Sequence, residues 1–516
     1  MFCPHNLDRM KTLYRSAFYV TLFSVLQRML GFLYRIVLSR TLSSEGVGLY
    51  QIAISVFMVL LTASSSGIPI TVSRLLSKGR AEGKDDRGVL SAGLLLALSI
   101  TLPTTLVLFL LHTPFSVVFS DKRAETVFLL LLPSLSFSAA HTVLRGFFWG
   151  EKDFLPYSVI ELVEEIVMIV TGTVLVFHVS DPFEGAKRAA IAVTASNVVS
   201  FSLAFLLFFK KGGKFLSPKG FMRPLISSST PITAMRSGAS AIDMLIAFFF
   251  PLMLMRHGMT GTEALSAFGV LTGMAVPVLY APSSLIGSFA LVLVPELSEQ
   301  YYGHDTEALS DSVRSSLSFS ALISCLFIPS LFLYGKEAGI LLFSNRTSGE
   351  YIAYSAYLLL PLSLNMISSG LLNSMQGEKF TFVSFLIGSV FFVGGTLLLA
   401  PFIGPCSYLV GIGAEGVVTS VLQIVRSVQK SKAEIKPFRT LFLPLLLTIP
   451  PILIGIPLKK VLFLYFGTIP AIFIGCIVLL SAGIALYFIA GFLPKGKLVF
   501  PRAKKQELRK KQSDFY

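Results

Sequence analysis

Two arginines, Arg28 and Arg35, lie inside the first long apolar segment of the chain, which runs from Tyr14 to Leu38. Their separation of seven residues is about two helical turns, so both guanidinium groups lie on the same face of a helix. An arginine at the centre of a membrane helix costs roughly 2.5–3.5 kcal/mol, so the pair costs about 5–7 kcal/mol. Guanidinium groups bind phosphate through paired hydrogen bonds. The two residues therefore predict a site for an anionic cargo.

Other polar residues recur at helical spacing inside later apolar segments. The residues predicted to contact the anionic group of the cargo are Arg28, Arg35 and Arg236, together with Arg74 and Arg145 near the ends of their segments. The residues predicted to line a polar cavity or to bind a coupling cation are Glu161, Glu164, Glu165, Asp243 and Asn365. The alternative for the arginines is structural ion pairing with these carboxylates, or extension of the side chain to the membrane surface.

The composition places these residues in a membrane protein. The chain has 516 residues, of which 53% are hydrophobic and only 14% charged, and its mean hydropathy is +0.75. Soluble proteins carry about 25% charged residues, so a soluble fold is excluded. The apolar segments are too long and too uniform for barrel strands, which predicts an all-α bundle.

About 14 membrane spans are predicted, at roughly 20 residues each. The apolar segments are residues 14–39, 49–73, 89–111, 125–148, 156–178, 188–209, 225–255, 264–294, 309–334, 351–375, 380–403, 408–428, 439–457 and 462–493.

The two halves of the chain share an internal repeat. Leu131-Leu132-Pro133 and Gly150-Glu151-Lys152 recur, at offsets of 228 and 227 residues, as Leu359-Leu360-Pro361 and Gly377-Glu378-Lys379. Six spans separate the copies, so the halves run in the same direction and form two lobes around a cleft. The predicted domains are residues 1–209 (N-lobe), 210–224 (basic linker), 225–430 (C-lobe), 431–494 (spans 13 and 14) and 495–516 (basic tail).

Glycine and proline interrupt the spans that have to bend in such a mechanism. The predicted hinge residues are Gly67, Pro69, Pro277 and Pro282. Proline removes a backbone hydrogen bond inside a helix, although it also occurs in membrane helices that do not bend.

The net charge of +15 follows the connections between spans and not one soluble face. With a cytoplasmic N-terminus, cytoplasmic segments hold 30 Lys and Arg and external ones 10, which predicts a multi-pass protein of the cytoplasmic membrane with both termini inside. The basic tail is expected to bind anionic lipid, and no nucleic-acid partner is expected. The chain shows no catalytic motif, no metal-ligand pattern and no cofactor motif, so an enzyme is not expected.

Several segments carry a resemblance to a known family. These are Leu30-Gly31-Phe32-Leu33-Tyr34-Arg35, Glu45-Gly46-Val47-Gly48-Leu49-Tyr50-Gln51, Ser66-Gly67-Ile68-Pro69 with Ser73-Arg74, and in the second half Asp243, Gly269, Gly273, Pro277, Pro282 and Val294-Pro295-Glu296-Leu297-Ser298. The chain resembles the polysaccharide-transporter branch of the multidrug/oligosaccharidyl-lipid/polysaccharide (MOP) exporter superfamily, the branch of stage V sporulation protein B, and is also similar to MurJ-type lipid II flippases.

The resemblance implies a two-lobe flippase that moves undecaprenyl-diphosphate-linked sugars between leaflets. MurJ-type relatives carry arginines in span 1 and two extra C-terminal helices that form a groove for the lipid tail. They also have arginines midway along span 2 and early in span 8, whereas span 2 of this chain has only the terminal Arg74, and Arg236 lies on span 7.

The predicted function is therefore a flippase for lipid II or a related cell-envelope precursor, serving peptidoglycan or spore cortex synthesis, with H⁺ or Na⁺ as a coupling ion. Polar residues of spans 2, 8 and 10 would hold the sugar. Two alternatives remain open at this point. One is a cation-coupled multidrug exporter of the same superfamily, and the other is a non-transporting scaffold of an envelope-assembly complex.

Overall fold

The computed structural model describes residues 4–82, 87–111, 119 and 121–492, and its regular structure is entirely helical. The basic tail predicted at 495–516 lies outside the described residues. The α-helices are α1 (Pro4–Thr41), α2 (Ser44–Ser65), α3 (Ile68–Ala81), α4 (Gly88–Leu110), α5 (Lys122–Gly150), α6 (Phe154–Val176), α7 (Pro182–Lys210), α8 (Met222–Arg256), α9 (Gly261–Gly269), α10 (Val276–Tyr302), α11 (Thr306–Phe343), α12 (Arg346–Ser355), α13 (Leu359–Ser374), α14 (Glu378–Ile403), α15 (Cys406–Ser431), α16 (Leu443–Leu446), α17 (Ile449–Tyr465) and α18 (Thr468–Ile489).

Twelve helical segments among the described residues are long and apolar enough to cross a membrane, beside a predicted number of about 14. The two predicted spans that are missing from the twelve correspond to α1 and α6, which are helices of 38 and 23 residues. They contain Arg28 and Arg35 in α1, and three glutamates in α6. In both helices, charged candidates interrupt an otherwise apolar sequence.

The first half of the chain packs around α5. This helix contacts α2, α3, α4 and α7, and most of its residues are buried. Its N-terminus is capped by the carboxylate of Asp121, which accepts a hydrogen bond from the Arg123 backbone N–H at 2.8 Å. Between α2 and α3 the helix is interrupted at Ser66 and Gly67, where the sequence predicts a break.

Gly67 lies directly against α8, a helix of the second half. Its N–H donates to Thr233 Oγ1 at 3.1 Å. A Cβ at Gly67 would lie 2.3 Å from the carbonyl oxygen of Ser229, so only glycine permits this approach.

In the second half, α13 packs against α10, α11 and α15, and α14 packs along α15. A π-helical segment, Val270–Ala275, connects α9 to α10. Of the predicted hinge residues in this half, Pro277 is the second residue after that segment, whereas Pro282 lies inside α10 without interrupting it. Hinge motion at these positions stays a prediction.

The C-terminal helices α17 and α18 pack against α11. Lys459 on α17 forms an ion pair of 2.8 Å with Glu337 on α11, and the Tyr487 hydroxyl on α18 donates to the Leu322 carbonyl at 3.0 Å. Tyr334 of α11 packs so closely against Gly475 of α18 that a Cβ there would overlap its hydroxyl. Helices α17 and α18 are thus fixed to the second half of the chain.

The two halves meet at the end of the bundle where α1 ends and α2 begins. The Arg40 guanidinium donates to the carbonyl of Leu342, at 2.8 Å, and to that of Leu341, both in the last turn of α11. The Asn345 amide donates to Ser44 Oγ at 2.8 Å. These contacts join α1 and α2 to the C-terminal end of α11.

Below these hydrogen bonds the backbones of α2 and α9 touch. A Cβ at Gly269 would lie 2.5 Å from both the Gly48 nitrogen and the Ser44 carbonyl oxygen. Any side chain at this position therefore separates the two halves.

We expect Gly269→Ala to destabilise the protein, because the added methyl group overlaps backbone atoms that have little freedom to move. Overpacking of this kind costs about 1–3 kcal/mol. Gly394→Ala is the matched control, since a Cβ at this helical glycine has no neighbour within 4 Å. Melting temperatures in detergent should fall for Gly269→Ala only; equal melting temperatures would contradict the close contact.

Candidate functional site

The first half encloses a cavity of about 410 Å³. Its lining comes from α1, α2, α5, α6 and α7, with Gly273 contributed from the second half. Much of the wall is apolar, and its charged side chains are Arg35, Glu164 and Glu165. The structure thus brings one predicted cationic residue together with two of the predicted carboxylates.

Arg35 keeps its guanidinium group unpaired in this cavity. It forms neither an ion pair nor a side-chain hydrogen bond with any residue that the structure describes, although it is near enough to Glu165 and Tyr50 to interact with them electrostatically. Glu165 lies beside Gly31, where a Cβ would be 3.0 Å from Glu165 Oε1. Glycine at position 31 therefore makes room for the carboxylate beside the arginine.

Glu164 is held by polar neighbours. Its carboxylate lies 3.4 Å from His141 Nδ1 and is close to the Ser200 side chain of α7. The other nitrogen of His141 lies 2.7 Å from the Tyr157 hydroxyl, and both rings are buried. This chain of polar groups links α5, α6 and α7 and leads from the cavity into the core.

Arg145 differs from Arg35 because its charge is already balanced. It forms an ion pair with Glu161 at 3.1 Å and lies over the ring of Trp149 at 5.2 Å. Neither Arg145 nor Glu161 lines the cavity. The geometry favours the structural alternative for this pair.

We expect single neutralisations, Arg145→Gln or Glu161→Gln, to lower the free energy of unfolding by about 1–2 kcal/mol, because each leaves a half-buried charge without its partner. The double variant should recover most of the lost free energy of unfolding. A double-mutant cycle on melting temperatures measures the coupling between the two residues. Strictly additive losses would contradict the pairing.

The second half contains a separate pocket of about 330 Å³. Arg236 and Asn365, both predicted from the sequence, line it together, from α8 and α13. The other lining residues are Ala239, Ser369, Asn373, Glu378, Thr381, Phe382, Phe385, Thr419 and Gln423. Within the described part of the chain, Arg236 has no ion pair and no side-chain hydrogen bond.

Besides Arg145 and Glu161, three predicted residues line neither of these two cavities. Arg28 is exposed on α1, and Arg74 is exposed on α3; among the described residues neither has an ion pair. Asp243 lies on α8 and interacts electrostatically with Glu415 of α15, beside Tyr280 and Tyr408. The structure therefore distributes the predicted site over several places and does not gather it into one cluster.

Sequence reasoning missed Glu415, Glu378 and Gln423. Glu415 lies within Gly411–Gly416, which has the spelling of a nucleotide-binding glycine motif but lies inside the membrane helix α15. Gly411 instead permits close packing of α15 on α14, since a Cβ there would be 2.7 Å from the Phe392 carbonyl oxygen. Among the residues that the structure describes, no group of three or more His, Cys, Asp or Glu could hold a metal ion.

Solved transporter structures share this fold. An inward-facing multidrug resistance MATE family transporter of the MOP superfamily matches with a TM-score of 0.66 at 14% identity, covering 79% of this chain and 94% of that one. Lipid II flippase MurJ, in an inward closed conformation, matches with a TM-score of 0.64 at 13% identity, covering 92% and 99%. These likenesses show the fold, which is that of the MATE and MurJ transporter structures, in a chain with helices able to span a membrane.

The family model described as polysaccharide biosynthesis protein matches residues 13–300, more than half of the sequence. The chain belongs to this family, which confirms the resemblance seen in the sequence. Curated relatives in Bacillus subtilis (strain 168) include stage V sporulation protein B, 26% identical over 383 residues (68% of this chain, 72% of the relative). Lipid II flippase MurJ of the same strain is 24% identical over 420 residues (73% and 75%). Such transporters are generally not enzymes.

Proposed function

We propose that this protein moves a polyprenyl-diphosphate-linked saccharide, lipid II or a related cell-envelope precursor, across the bacterial cytoplasmic membrane by alternating access. The observation that carries the proposal is the unpaired state of Arg35 and Arg236. Each lines a cavity of one half, where an unpartnered charge is costly unless a ligand supplies the opposite charge.

Arg28 extends the proposed anion site along α1. It lies two turns before Arg35, about 10 Å away along the helix axis, on the same face. Phosphate is bound well by guanidinium groups, since each can donate two parallel hydrogen bonds. The fixed position of α17 and α18 against α11 supports the proposed groove for the lipid tail.

The relatives extend the proposal to peptidoglycan or spore cortex synthesis, because one is named as a stage V sporulation protein and another as a lipid II flippase. Rocking of spans 1–6 against spans 7–12, driven by the membrane potential or by an H⁺ or Na⁺ gradient, would supply the movement. Asp243 and Glu415 are proposed to bind the coupling cation.

The test is a leaflet-flip assay in liposomes with fluorescent lipid II. We expect the wild-type protein to move the probe and empty liposomes not to move it. The same assay with other polyprenyl-linked sugars defines the saccharide. Failure with every polyprenyl diphosphate would overturn the proposal.

The membrane orientation is a separate proposal, with both termini in the cytoplasm. It rests on the distribution of basic residues. A reporter that is active only in the cytoplasm, fused after Tyr516, should be active, and the same reporter in the loop at Gly258 should be silent, because the loop between α8 and α9 then lies outside. The reverse pattern would contradict the orientation.

One observation favours a second function, export of cationic drugs. Asp243 and Glu415 form an acidic pair with two tyrosines nearby, an environment that attracts a cation. Transport of a cationic dye that is lost in Asp243→Asn, with no movement of lipid II, would support this alternative.

A further inference from the structure

We infer that the pocket of the second half is the subsite for the first sugar of the cargo, the sugar bonded directly to the diphosphate. This inference rests on the proposed function. It assigns the pocket to a neutral ring that bears hydroxyl and amide groups, and it assigns Arg236 to the adjoining phosphate.

The chemistry of the pocket wall differs from that of the first cavity. Its lining includes three carboxamides, Asn365, Asn373 and Gln423, and three hydroxyls, from Ser369, Thr381 and Thr419. A carboxamide has hydrogen-bond donors and an acceptor in one plane, and a hydroxyl group donates and accepts hydrogen bonds at a single oxygen atom. Neighbouring hydroxyls of a sugar ring likewise donate and accept, so the two sets match.

The charged residues of the pocket are compatible with this ligand. Arg236 and Glu378 are its ionisable residues, so with Arg236 on the phosphate only Glu378 remains, and a carboxylate accepts hydrogen bonds from the hydroxyls of a neutral sugar. Phe382 and Phe385 add an apolar surface that can contact the C–H groups of a ring. Its volume lies at the lower end of the range for small-ligand pockets, about 300–1,000 Å³.

The wall is rigid before any ligand enters. Gln423 of α15 is buried, and its Oε1 accepts from the hydroxyls of Ser368, at 2.8 Å, and Ser369, at 2.9 Å. Its Nε2 donates to Ser384 Oγ at 3.0 Å. These bonds connect α13, α14 and α15, so the pocket is held in shape by a satisfied network.

Asn365 is available to a ligand. Among the residues that the structure describes, none forms a hydrogen bond with its side-chain amide, and the side chain is only partly buried. It shares the pocket with Arg236. In a polyprenyl-diphosphate sugar, the first ring is bonded to a phosphate oxygen, so its subsite has to adjoin a phosphate ligand. The juxtaposition of Asn365 and Arg236 meets this requirement.

The test compares binding of two lipids to the protein in nanodiscs: undecaprenyl diphosphate, and the same lipid carrying N-acetylmuramic acid pentapeptide. We expect Asn365→Ala to weaken binding of the sugar-bearing lipid about tenfold, the effect of one or two hydrogen bonds, and to leave binding of undecaprenyl diphosphate unchanged. Gln429→Ala is the control, a carboxamide on the same helix as Gln423 that is exposed and outside the pocket.

Equal weakening of both lipids, or no weakening of either, would overturn the subsite while leaving the proposed function intact. Absence of binding of both lipids to the wild-type protein would overturn the proposed function and the subsite together. Melting temperatures establish that the variants fold. Asn365→Leu, which keeps the size of the side chain but removes its hydrogen-bonding groups, provides a second measurement that should show the same selectivity for the sugar-bearing lipid.

Discussion

Arg35→Glu should lower the rate of lipid II flipping at least 100-fold. Each hydrogen bond between charged groups contributes about 1.5–3 kcal/mol, and 1.4 kcal/mol is a factor of ten. The reversal removes these bonds and places a second carboxylate beside Glu165, so it also repels the diphosphate. Arg28→Glu should also lower the rate of lipid II flipping. The measurement is the initial rate of probe loss from one leaflet of liposomes with equal amounts of protein.

Two further variants separate binding from folding. Arg35→Lys keeps the positive charge but loses the paired donors, so we expect an intermediate rate. Arg314→Glu is a matched charge reversal on α11, at an exposed arginine that lines neither cavity, and should flip lipid II at the wild-type rate. A fully active, normally folded Arg35→Glu protein would contradict the proposed anion site.

Cross-linking the two halves where α2 meets α12 should stop transport almost completely. The Asn345 amide and Ser44 Oγ are 2.8 Å apart, and alternating access requires this end of the bundle to open. In a background with the native cysteines replaced, Ser44→Cys/Asn345→Cys treated with a short thiol-specific cross-linker should lose flipping, and reduction of a cleavable cross-linker should restore it.

Each single-cysteine variant, treated in the same way, provides the control and should keep its activity. A pair placed within one half, Lys336→Cys/Glu350→Cys, joins α11 to α12 without crossing between the halves, where Lys336 and Glu350 now form an ion pair of 3.8 Å. It should be cross-linked without loss of transport. Full activity of the cross-linked Ser44/Asn345 pair would show that this contact stays closed throughout the cycle.

The sequence predicts the helical membrane fold well because apolar segments long enough to span a bilayer have few other solutions. The helices fall close to the predicted segments, and the break near Gly67 appears where glycine and proline interrupt the pattern. Twelve of the predicted spans are found among the segments that are long and apolar enough to cross a membrane. The other two, α1 and α6, are long helices whose apolar sequence is interrupted by charged residues.

The site was harder to predict because helical spacing shows which residues share a face, but not which helix lies opposite. Arg35 and Glu165 meet because α1 packs on α6, and Arg145 pairs with Glu161 through the packing of α5 and α6. Neither partner follows from periodicity. Gln423 was missed because a single glutamine in a span gives little signal, and its importance comes from three serines on two other helices.

The contact between Gly67 and Thr233 has a consequence for how ligand binding in one half of the protein would affect the other half. Arg236 follows Thr233 by three residues, less than one turn, so both project from one short stretch of α8. A ligand that displaces Arg236 would therefore also displace Thr233, which contacts the break between α2 and α3. Ligand binding at Arg236 would therefore be coupled through α8 to movement at the break between α2 and α3.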